Sequence, residues 1–183
     1  MASPLAGALA RTADSIDAFM AWFGRIIALL GFATVLLCFV TVYLRYALGI
    51  GFTWLQESYI WTHAIVIMLG SGYCLLKGGF VRVDILYAKM SVKAQAAVDL
   101  FGGLVFTLPF LVMAGWYGWP FFLASYRMHE RSAYDDGLPA LYLLKSSLMA
   151  FAVVVGIQTI SNICRNAAIL LGAPAPKPQS IQP

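Results

Sequence analysis

The sequence predicts an all-α membrane protein with four transmembrane helices, at about 22–46, 54–77, 95–126 and 138–165, and a short interfacial helix near 83–90. Three observations carry this prediction. The 183 residues are 61% hydrophobic and 11% charged, where soluble chains run at about 45–50% apolar and about 25% charged. A soluble domain of this size cannot hide so much apolar surface in one core, so lipid must serve as part of its solvent. The charges also divide the chain into four uncharged runs, 26–44, 58–76, 100–126 and 146–164. Finally, the basic residues are distributed unequally between the two ends of these runs.

The runs 26–44, 58–76 and 146–164 have 19 residues each, and a 19-residue helix covers roughly 28 Å of a hydrocarbon core roughly 30 Å thick. The 27 residues of 100–126 would cover about 40 Å, so that helix must tilt, bend or project. Pro109 and Pro120 are the expected bend sites, because each removes a helical hydrogen bond.

The N-terminus up to about residue 11 is expected to be flexible, and 12–25 to begin a helix ahead of the bilayer. The first apolar run starts near Phe19. It exceeds the about 7–15 apolar residues of a signal peptide and is expected to remain as a span. Residues 47–53 form a short turn containing Gly49 and Gly51. Thr53 and Gln56 fit a capping box at the start of the second span, with Glu57 just inside the same N-terminus. After that span, Gly78 and Gly79 allow a sharp turn, Asp84 is placed to cap the short helix that follows, and Ser91 to cap the third span. The four-proline stretch 173–183 is expected to be a disordered tail of this single integral membrane domain, 1–183.

Four spans place both termini and the middle loop on one side. That side collects eight basic residues, Arg11, Arg25, Lys77, Arg82, Lys89, Lys93, Arg165 and Lys177. The other side holds four, Arg45, Arg127, Arg131 and Lys145, beside Glu57, Glu130, Asp135 and Asp136. The positive-inside rule makes both termini cytoplasmic. Trp54, Trp61, Trp116 and Trp119 then lie toward the outer half, as an interfacial aromatic belt requires. The net charge of +4 comes from basic residues scattered singly, which suits lipid headgroups rather than nucleic acid.

Sites for chemistry are scarce. Cys38, Cys74 and Cys164 lie in apolar runs without a C-x-x-C pair and read as small hydrophobes. His63 and His129 fall at different depths, so paired haem ligation is not expected. No Asp or Glu occupies the middle of a span, and no internal repeat is evident, whereas ion-coupled carriers rely on such residues or on broken helices. The sequence therefore offers no catalytic, cofactor-binding or metal-binding residues. Small residues such as Gly70, Gly72, Gly102, Gly103 and Gly118 mark helix contacts, and the aromatic surface suits packing against another membrane protein. The polar candidates sit at the ends of the second span. Glu57 either complements the helix dipole or meets another chain. Arg82 and Asp84 either close their own loop or tie it to neighbouring helices or a partner.

Together, Trp54-x-x-Glu57 and, about twenty residues on, Gly78-Gly79-Phe80-Val81-Arg82-Val83-Asp84 resemble the small, DctQ-type membrane subunit of TRAP (tripartite ATP-independent periplasmic) transporters. Gly137-Leu138-Pro139 leading through Leu143-Leu144-Lys145-Ser146 is similar to the same family. The family stretch usually reads His-Val-Arg-Val-Asp, and Phe80 stands here in place of the His. The resemblance implies a scaffold subunit in a bacterial inner membrane, binding neither substrate nor sodium itself. It also implies as partners a large permease subunit, which imports an organic acid with sodium, and a periplasmic solute-binding protein. It makes Trp54, Glu57, Gly78, Gly79, Arg82 and Asp84 the interface or structural candidates, and the loop 125–137, as the only long stretch facing the outer side, is the expected docking site for that binding protein. Two other readings remain at this point: a four-helix redox or quinone-handling subunit, and a stand-alone small transporter.

Overall fold

The computed structural model describes residues 4–80 and 87–174, and no strand occurs among them. The first helix, α1 (Pro4–Ala47), runs for 44 residues, about 66 Å at 1.5 Å per residue. It starts at Pro4 and not near residue 12, where the sequence suggested. Pro suits the first position of a helix, and the alanine-rich stretch behind it favours helix strongly. Packing supplies the remaining cause. The buried positions Ala6, Ala13, Met20, Ile27 and Thr34 of α1 follow one another at seven-residue steps, the repeat of a supercoiled helix seam.

The next helix, α2 (Thr53–Leu76), ends close to expectation. The third span divides into α3 (Val92–Gly102), a π-helical segment Gly103–Thr107, and α4 (Leu108–Arg127). Ser91 caps α3 as expected, its hydroxyl accepting from the Ala94 N–H at 3.3 Å. The π segment directly precedes Pro109, and the Leu108 N–H donates to the Gly103 carbonyl five residues back. The wider turn accommodates a ring that would otherwise press on the preceding turn. Pro120 lies inside α4, which continues through it. The last helix, α5 (Leu141–Leu170), begins three residues later than the expected 138, because Gly137 to Ala140 form part of the preceding loop. Among the described residues, four segments are long and apolar enough to cross a membrane: Pro4–Ala47, Thr53–Leu76, Val92–Arg127 and Leu141–Leu170.

The helix α5 is the hub, packing against α1, α2, α3 and α4, while α1 and α2 also pack on each other. Backbones approach closely at Gly72, where a Cβ would meet the Val154 side chain and lie 3.1 Å from the Val154 carbonyl oxygen. Large apolar side chains face outward along the spans, among them Leu29, Phe32, Phe39, Trp116 and Tyr117, as lipid-facing surfaces require. Of the short helix expected near 83–90, only Tyr87 to Met90 are described, a turn closed by the Met90 N–H on the Tyr87 carbonyl at 3.0 Å. The remainder, with Arg82 and Asp84, lies outside the described residues. So does the tail from 175 onward.

Candidate functional site

At the end of the bundle opposite the termini, α2 and the loop between α4 and α5 are joined by polar contacts. Glu57, in the second turn of α2, accepts from the Ser132 hydroxyl through one carboxylate oxygen and from the Leu138 N–H at 2.7 Å through the other. Charge-assisted bonds of this kind are about twice as strong as neutral ones. Gly137 lies against the same carboxylate, and a Cβ there would sit 3.0 Å from Glu57 Oε2 and collide with Ser132. Only glycine lets the loop close over Glu57 in this way.

The capping box expected from Thr53 and Gln56 does not form. Phe52 is the N-cap and provides no side-chain bond. Asp136 of the loop accepts from the Thr53 N–H at 3.3 Å instead, placing a carboxylate at the positive end of α2. The loop thus caps the helix from outside, and Glu57 holds the loop in return.

Further bonds complete the loop. The Ser132 N–H donates to the Leu138 carbonyl at 3.2 Å, and the Leu141 N–H to the Glu130 carbonyl at 2.9 Å. Lys145, in the first turns of α5, pairs with Glu130 at 2.5 Å and lies over the Phe121 ring at 4.3 Å. The Lys145 hydrogen bond holds the Glu130 carboxyl below its ordinary value. Two non-glycine residues with positive φ bracket the loop, His129 at 47° and Ala140 at 70°. His129 closes α4 as the left-handed residue of a Schellman motif, its N–H on Tyr126 O and the Glu130 N–H on Ser125 O.

At the opposite end of α2, Gly78 has φ +67°. The Gly78 N–H donates to Leu75 O at 3.1 Å and the Gly79 N–H to Cys74 O at 2.9 Å, again a Schellman motif. A Cβ on Gly79 would lie 2.7 Å from Cys74 Sγ. The turn expected from these two glycines is therefore present. Trp54 is 43% exposed, its ring 5.9 Å from that of Phe52, on the surface of α2's first turn.

Sequence reasoning missed one cluster entirely. Near the termini, Asp17 of α1 accepts from Gln158 at 2.9 Å, Ser161 at 2.6 Å and Arg165 at 2.5 Å, all on α5. Asp14 adds a second contact to Arg165 at 3.1 Å. The available signal was a pair of spacings: acids at 14 and 17, and hydrogen-bonding residues at 158, 161 and 165, each set on one helix face.

Between these two ends the spans carry no Asp, Glu, Lys or Arg over 26–44, 58–76, 100–126 and 146–164. Among the described residues, no group of three or more His, Cys, Asp and Glu side chains could hold a metal ion. The architecture is that of a polytopic helical membrane protein whose ionisable groups brace its two ends. The family model for the DctQ component of tripartite ATP-independent periplasmic transporters matches residues 34–168, and the chain belongs to that family. The match includes Glu57 with its loop partners, both glycines of the α2 turn, and Arg82 and Asp84. No curated protein and no solved structure matches the chain.

Proposed function

We propose that this chain is the small scaffold subunit of a TRAP-type secondary transporter in a bacterial inner membrane, with both termini cytoplasmic. It supports the large permease subunit in sodium-driven symport of an organic acid delivered by a periplasmic binding protein. The observation that carries the reading is the use of Glu57. This carboxylate at the mouth of a span is engaged on both oxygens by the chain's own loop, so it braces the structure instead of standing ready for a cation or a substrate. Family membership adds the transporter context. The absence of charge along the four uncharged runs agrees with a strut.

On this reading Trp54 and the exposed face of α2's first turn meet the large subunit. Gly78, Gly79, Arg82 and Asp84 organise the other end of the same helix. The loop 125–137, braced by Glu57 and Asp136, offers the binding protein a preformed surface. The test expresses the large subunit and binding protein with and without this chain and follows sodium-dependent uptake of the organic acid. Uptake is expected only with the chain present, and full uptake without it would refute the proposal.

A further inference from the structure

Apolar contact between α1 and α5 cannot by itself define how the two helices are aligned. The seam of α1 repeats every seven residues at Ala6, Ala13, Met20, Ile27 and Thr34, and its first two members are both alanine. At this end of α1 the seam thus offers only two methyl groups to define an alignment. Within lipid, apolar association offers little discrimination, because the alternative surroundings are equally apolar. A single polar position in a repeating seam is the best-attested device for fixing register.

Asp17 has the required geometry. One carboxylate oxygen accepts from Gln158 and Ser161 and the other from Arg165. Gln158 and Ser161 are fully buried. The Ser161 hydroxyl also lies 3.2 Å from the Ala13 carbonyl. A shift of one helical turn, about 5.4 Å, would break all of these bonds together. It would leave the Arg165 guanidinium, three-quarters buried, without its nearest carboxylate, and such a loss is expensive.

We infer that the Asp17 cluster is a register lock, which fixes the alignment of α1 on α5 and makes the N-terminal extension of α1 move with α5 as one body. Asp17 is a positioning residue in this account. The inference goes beyond the proposed transport role and does not depend on it, since Asp17 lies outside the family match at 34–168.

The test separates register from stability. Spin labels are placed at Ser15→Cys and Leu170→Cys, both exposed positions, in the full-length chain with its native cysteines replaced by alanine and held in lipid nanodiscs. The parent is expected to give one narrow inter-label distance. The Asp17→Leu/Arg165→Leu double variant removes the polar pair without stranding either charge. It is expected to give a broadened or two-component distribution, with a component displaced by about 5 Å or more. A single unchanged distance would overturn the lock. Asp17→Asn preserves size and an acceptor oxygen and guards against a double variant that fails to fold. Its amide exchange over residues 4–18 should rise roughly tenfold while 26–44 stays protected; unchanged exchange over 4–18 would equally overturn the lock.

Discussion

Leu138 donates its backbone N–H to Glu57 at 2.7 Å across 81 residues of sequence, so the entrance to α5 is positioned by a side chain of α2. The second carboxylate oxygen holds Ser132 in the same loop. Replacing Glu57 by Ala removes both acceptors. A hydrogen bond to a charged group contributes about 1.5–3 kcal/mol, so losing two with Glu57→Ala should cost about 3–6 kcal/mol locally, and Glu57→Gln, which keeps a carbonyl acceptor, about half that. Amide exchange at Ser132 and Leu138 measures the effect, and protection unchanged from the parent would show that the loop is held by other contacts.

The Glu130–Lys145 pair predicts a pH dependence with a definite sign. Glu130 is held below its ordinary value of 4.5, chiefly by the Lys145 hydrogen bond. A carboxyl depressed in the folded state adds stability above its unfolded value and loses it as pH falls through the folded value. The thermal midpoint in detergent should therefore carry no contribution from this pair's titration between pH 7 and 5. It should begin to fall below about pH 4.5. Lys145→Met should reduce the acid-side slope, and an identical slope in that variant would exclude the pair as a cause.

Two turns of the same type predict opposite responses. Gly78 and His129 both occupy the left-handed position of a Schellman motif, at φ +67° and 47°. Gly78→Ala should destabilise by about 1 kcal/mol, since a Cβ resists that conformation. His129→Gly relieves the same strain and should stabilise by roughly 0.5 kcal/mol, part of the gain being lost to unfolded-chain entropy and to the ring stacked on Tyr126. Thermal midpoints of the two variants should move in opposite directions.

Gly72 predicts the effect of overpacking at the hub. A Cβ there would meet the Val154 side chain and stand 3.0 Å from Met20 Sδ and 3.1 Å from the Val154 carbonyl oxygen. The sulfur can yield, but the carbonyl belongs to the backbone of α5. Gly72→Ala should cost about 1–3 kcal/mol. Gly115→Ala, with nothing within 4 Å of the added Cβ, should change the thermal midpoint little and provides the control.

The parts of this structure that were legible in the sequence are those governed by local chemistry. Charge spacing set the four spans, Gly78-Gly79 set the turn after α2, and Ser91 set the cap of α3. The start of α1 at Pro4 was hidden, because the stretch up to about Arg11 carries no apolar run of its own and was expected to be flexible. What orders that stretch is burial of Ala6, in line with Ala13 and Met20, against the rest of the bundle. The capping box at Thr53 and Gln56 was locally plausible, yet Asp136, 83 residues away, caps the helix. The partners of Glu57 and Asp17 are similarly distant, and spacing within one helix carries no record of the residue it will face.

The central claim is that this chain braces a transporter and does not carry its cargo, and Glu57→Ala tests it most directly. The measurement is sodium-dependent uptake per assembled complex, with the large subunit and binding protein co-expressed and assembly quantified by co-purification. The account predicts less assembled complex and uptake reduced in proportion, so that uptake per complex stays at the parental level. Assembly at the parental level with uptake per complex abolished would contradict it, because Glu57 would then lie on the transport path.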